Sequence, residues 1–228
     1  MVKSYISLSC LDNPERLDKS LDSVLGMDID GLHLDVLSRT PDGIATPFLP
    51  GRVVDIAEYA RSKMKYDGLK VDVHMLVPKP QLAVRNYKRK GLSGIILPGE
   101  EFNDNPRRLS RSLYDIKNES PKLKSGVSYS ISQAKDEHVF MNDLDYVVYT
   151  VEKGTLGMVE IERLSELSCI KLRSNPNLDI MVEGRLSSED VKLLCATGVD
   201  AVIMRYENHV DCKYALEVVK RPNSSARI

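Results

Sequence analysis

The sequence predicts a closed (β/α)8 barrel. Three observations carry that expectation. Short apolar runs with strand character recur eight times, at residues 5–9, 31–36, 70–76, 94–97, 125–130, 145–151, 179–182 and 201–204. Segments with helical spacing separate them, and no stretch resembles a linker. The runs are nearly continuous in apolar residues, as strands of a parallel sheet covered on both faces must be. Eight such units in 228 residues fit one barrel domain over 1–220, with the polar stretch 221–228 as a flexible tail. An open doubly wound sheet is the competing arrangement, but no Gly-rich dinucleotide turn follows the first run.

The helices follow in order. The first is expected at 14–25, behind Asp12 and Asn13, which suit an N-cap. The second, at 53–64, carries Val54, Ala57 and Ala60 on one stripe. The remainder are expected at 81–90, 106–117, 133–141, 158–167, 188–196 and 210–220.

Composition narrows the function classes. A net charge of −1 gives no electrostatic case for nucleic acid or an acidic membrane. No apolar stretch is long enough to cross a bilayer, and the first residues run into a strand rather than a signal peptide. Cys10, Cys169, Cys195 and Cys212 lack metal or redox spacing. Reduced, mostly buried thiols in a cytoplasmic protein are expected.

Chemistry enters at the strand ends. In His33-Leu34-Asp35 the two polar residues alternate, so they share one face of a strand. Asp72-Val73-His74 repeats the pattern on the next strand, and Glu183 closes the seventh. Barrel enzymes place their chemistry at the C-terminal strand ends. A single inward His or Asp is more often a hydrogen-bonded structural residue. Two imidazoles and two carboxylates at one mouth are instead the parts of a metal site with catalytic potential.

With these residues in view, the chain resembles the ribulose-phosphate 3-epimerases from about residue 6 to residue 220. Leu32-His33-Leu34-Asp35-Val36 matches their second strand, and Asp72-Val73-His74-Met75-Leu76-Val77 their third. Ile6-Ser7-Leu8-Ser9 stands in for their Pro-Ser opening, with Ser9 as the equivalent serine, and Gly198-Val199-Asp200-Ala201-Val202 resembles the approach to their eighth strand. The resemblance implies a divalent metal (zinc, iron or manganese) on His33, Asp35, His74 and Glu183. It makes Asp35 and Glu183 the acid–base pair that inverts a carbon through an enediolate. It implies a phosphorylated ketose as substrate and dimers or higher assemblies. Carried over, the substrate-binding residues are Ser9, His33, His74, Gly154, Gly184, Arg185, Arg205 and Tyr206.

The departures bear on substrate. Glu183 replaces a family Asp, and its added methylene moves the carboxylate by ~1 Å, a shift that costs ~100-fold in rate when uncompensated. Glycine pairs that present backbone N–H groups to phosphate become Gly184-Arg185 and Arg205-Tyr206. The loop after the sixth strand keeps only Gly154 and Gly157. Arg185 and Arg205 either bind the anion by their guanidinium forks or pair with Glu183 or Glu207. Leu37, Leu76 and Tyr149 take the places of family methionines around the intermediate, and the loop 38–50 is longer than the family's. Two functions follow. One is a divergent metal-dependent sugar-phosphate 3-epimerase with altered phosphate recognition. The other is an inactive epimerase-like barrel that binds a sugar phosphate or a protein. An aldolase or decarboxylase ranks third, because no Lys stands at a strand end.

Overall fold

A computed structural model describes residues 2–8, 14–37, 50–63, 68–87, 91–139, 141, 144–151, 156–206 and 209–220. Its strands are β1 (Lys3–Ser7), β2 (Gly31–Leu37), β3 (Lys70–Leu76), β4 (Gly94–Pro98), β5 (Lys124–Ser130), β6 (Tyr146–Val151), β7 (Asp179–Gly184) and β8 (Ala201–Arg205). They pair in parallel and in chain order, and β8 returns to β1 to close the barrel. The helices are α1 (Pro14–Leu25), α2 (Pro50–Lys63), α3 (Pro80–Tyr87), α4 (Pro106–Glu119), α5 (Met158–Ser174), α6 (Ser188–Thr197) and α7 (His209–Lys220). Among the described residues, no helix is long and apolar enough to cross a membrane. The proposed tail 221–228 and the N-cap pair Asp12-Asn13 lie outside the described residues, as does Cys10. Of the three described cysteines, all free thiols, only Cys212 is buried.

Alternation along the strands divides the apolar residues into two groups. Leu32, Leu34 and Val36 of β2, Val71, Val73 and Met75 of β3, and Ile180 and Val182 of β7 join the shell between sheet and helices. Tyr5, Ile96, Tyr146, Val148, Met181, Ala201 and Ile203 fill the interior as a separate cluster. Period-two geometry therefore turns His33, Asp35, Asp72, His74 and Glu183 inward. It also corrects one expectation. Tyr149 belongs to the outer shell, so its neighbours in sequence, Val148 and Thr150, take the inward places.

The base of the barrel repeats one device. The residue before each even strand (Asp30, Ser93, Asp145, Asp200) accepts, through its side chain, the N–H of the second residue of the preceding strand. The distances are 2.8, 3.0, 2.9 and 2.7 Å to Ser4, Val71, Ser125 and Ile180. In each case the accepting residue's own backbone N–H donates back to its partner's carbonyl. Below this ring Lys3 and Lys124 approach Asp179 at 3.2 and 3.5 Å, and buried Lys171 holds Asp200 at 2.6 Å. These contacts satisfy backbone donors that the strand starts would otherwise bury.

The fifth unit departs from the expected helix at 133–141. Two 3-10 turns, Ile131–Gln133 and Asp136–His138, stand there. A helix this short is marginal by itself, and a side-chain plug replaces it. The buried His138 ring stacks on Tyr129 at 3.8 Å, and its Nδ1 lies 3.3 Å from the Tyr149 hydroxyl. α6 starts as its sequence dictates, with a capping box between Ser187 and Asp190, and ends at Gly198 in a left-handed conformation (φ 86°).

Candidate active site

β2, β3 and β7 bring four side chains to one point at the C-terminal mouth. Asp35 and His74 are register partners across β2 and β3, and Glu183 reaches in from β7. His33 Nε2 lies 3.3 Å from Asp35 Oδ1 and 3.7 Å from Glu183 Oε2. His74 Nδ1 lies 3.3 Å and 3.6 Å from the same two oxygens. The four facing atoms fall within 4.8 Å of one another, and none of the four residues is more than 2% exposed.

The surroundings fix these groups. Ser128 Oγ lies 2.7 Å from His74 Nε2 and itself donates to the Leu97 carbonyl at 3.5 Å. That chain lets Ser128 accept from His74 Nε2 and leaves Nδ1 facing the cluster. Ser7 Oγ donates to Asp35 Oδ2 at 3.3 Å, leaving Oδ1 aimed at the two imidazoles. Burial pushes the Asp35 carboxyl up, but the His33 and His74 rings outweigh it and hold it far below the usual carboxylate range. Burial likewise opposes charge on His74, yet Asp35 and Glu183 raise its pKa to about 9.

These residues fit a divalent cation. His33 Nε2, Asp35 Oδ1, His74 Nδ1 and Glu183 Oε2 are all buried without a hydrogen-bond partner. Four convergent, unpartnered lone-pair atoms of mixed N and O type suit zinc, iron or manganese.

The remaining expected residues divide. Arg205, at the end of β8, points its Nε toward Glu183 Oε1 at 3.7 Å, so the pairing of an arginine with Glu183 is present. Arg185 is exposed and, with Arg205, Ser187, Asp211 and Cys212, lines a cleft of about 180 Å³ between the ends of β7 and β8. Gly184 packs against β6, where a Cβ would come within 3.0 Å of the Val151 carbonyl. Tyr206 is placed elsewhere: its hydroxyl approaches Ser23 of α1 at 3.4 Å, and its N–H donates to the Ser7 carbonyl. Ser9 and Gly154 lie outside the described residues, as does most of the loop 38–50. Among the described residues, Ser7 is the serine that touches Asp35. Its signal was its parity with Tyr5, which the register carries onto the face of His33.

Fold and cluster together define a (β/α)8 barrel with a buried two-histidine, two-carboxylate centre at its mouth. The chain belongs to the Ribulose-phosphate 3 epimerase family, whose profile matches residues 5–206. The cytoplasmic isoform of ribulose-phosphate 3-epimerase from Oryza sativa subsp. japonica is 26% identical over 188 residues, covering 80% of this chain and 76% of the rice protein. Among solved structures, KGPDC from Streptococcus mutans superposes with a TM-score of 0.68 at 12% identity, over 97% of this chain and 98% of that one. Thiamine phosphate pyrophosphorylase from Pyrococcus furiosus gives 0.60 at 14% identity, over 97% of each chain. Both structural likenesses concern the fold.

Proposed function

We propose that the protein is a metal-dependent epimerase of a phosphorylated ketose or a related anionic sugar, with altered anion recognition. The observation that carries this reading is the convergence of Asp35 and Glu183 on the two imidazoles. A carbon next to a carbonyl is a weak acid, and a divalent cation bound by His33, Asp35, His74 and Glu183 supplies the positive charge that makes its ionisation accessible.

The chain's own groups do the rest. Asp35 accepts the carbon-bound proton through Oδ2, the oxygen that Ser7 contacts and that does not face the cluster. Glu183 returns a proton to the opposite face, which inverts the centre. Arg205 steers the longer Glu183 side chain. The guanidinium edge away from Glu183 joins Arg185 in meeting the substrate's anionic group. Half-buried Leu37 and Leu76 face the mouth and exclude water above the reacting carbon.

The test combines metal analysis with exchange. Stoichiometric zinc, iron or manganese, together with solvent deuterium entering a ketose phosphate at one carbon, is the expected result. A metal-free protein whose His74→Ala variant matches the parent in exchange removes the reading.

A second reading rests on Arg205. Its pairing with Glu183 ties up the carboxylate that returns the proton, which suits an inactive barrel that only binds a sugar phosphate or a protein. Thermal stabilisation by sugar phosphates without any exchange selects it.

A further inference from the structure

Asp72 shares a motif with His74 but stands apart from the cluster. It is the register partner of His33 across β2 and β3, and both side chains turn inward. Its carboxylate is fully buried, and neither oxygen has a hydrogen-bond partner. The hydroxyl of Tyr146, on β6, is equally unpartnered. Gly94 brings these two groups together. A Cβ there would lie 2.8 Å from Asp72 Oδ1 and 2.6 Å from Tyr146 Cε2, so the missing side chain lets carboxylate and phenol sit side by side.

The two histidines differ in the same respect. The remote nitrogen of His74 is held by Ser128. The remote nitrogen of His33, Nδ1, is buried and has no direct partner. A metal-binding imidazole works best when its second N–H is fixed by a carboxylate, carbonyl or water. Buried water typically makes about three hydrogen bonds to polar groups of this kind.

We propose that Asp72 is a positioning residue for His33. One ordered water accepts the His33 Nδ1 proton and the Tyr146 hydroxyl proton and donates to Asp72. The ring is thereby locked with Nε2 unprotonated toward the cluster. The inference rests on the reading of His33 as a metal ligand.

Zinc affinity, measured by chelator competition, and the nitrogen spectrum of the His33 ring test it. The parent protein loaded with zinc is expected to show His33 protonated at Nδ1, with that proton protected from bulk exchange. Asp72→Ala is expected to weaken zinc binding about 10- to 100-fold, and Tyr146→Phe by several-fold. A folded Asp72→Ala variant that binds zinc within twofold of the parent overturns the inference and leaves the metal site standing. If that variant fails to fold, Tyr146→Phe and the parent spectrum decide. Unchanged affinity in Tyr146→Phe with a freely exchanging Nδ1 proton also overturns it. A parent that binds no zinc, iron or manganese removes the metal reading and this inference together.

Discussion

At the base of the barrel, Asp30, Ser93, Asp145 and Asp200 repeat one reciprocal pairing four times, and lysines meet Asp179 and Asp200. At the mouth, His33, Asp35, His74 and Glu183 occur once each, and their facing atoms are left without hydrogen-bond partners. The same inward-facing geometry thus serves two purposes. Where polar groups are satisfied in a repeating pattern, they stabilise closure. Where they are gathered and left unsatisfied, the fold carries the cost.

The sharpest way to separate the two ends is Asp35→Asn. Turnover is expected to fall about a thousandfold, equivalent to about 4 kcal/mol, in a chain that still unfolds cooperatively. Exchange kinetics and a urea transition measured together check both halves of that statement. Lys171→Met is the converse experiment. It strands Asp200 without its buried partner and is expected to cost about 3 kcal/mol of stability. Metal affinity should not change, and a weakened zinc affinity would break the division between base and mouth.

His138, in the side wall, has the opposite environment to His74. Burial is the main cause that lowers its pKa to about 4. The unfolded chain therefore takes up this proton first as pH falls, and stability that is complete above about 6.5 is lost toward pH 4, by up to about 3 kcal/mol. Urea midpoints across that window should slope less in His138→Gln than in the parent. The smallest effect concerns the base ring. Ser93→Ala removes one acceptor from the Val71 N–H and should cost about 1 kcal/mol. If the four pairings are independent, combining it with Asp145→Ala should add within about 0.5 kcal/mol. A clear excess would make the ring one cooperative unit.

The barrel was legible because apolar runs and helical segments alternate eight times. His33, Asp35, His74 and Glu183 were legible because each interrupts an apolar run at an inward parity. Parity was also the source of error. Tyr149 turns outward where an inward place is expected, because the sequence does not carry the register that decides which residue faces in. The fifth helix was not foreseeable as 3-10 turns, since the stacking of His138 on Tyr129 is a contact between segments. The reach of Arg205 to Glu183 was one of two readings of an arginine. Geometry alone separates them. The base ring left no trace, because an Asp or Ser before a strand looks like an ordinary turn residue.

The candidate ligands are distributed unevenly along the chain. Three come from β2 and β3, which are made early, and Glu183 comes from β7, which is made late. A partly assembled sheet holds the two imidazoles and one carboxylate but not the fourth arm. On the metal reading proposed above, cation capture at full strength would report that the ring of strands has met itself. A metal titration during refolding would time the moment at which the last quarter of the chain docks onto the first.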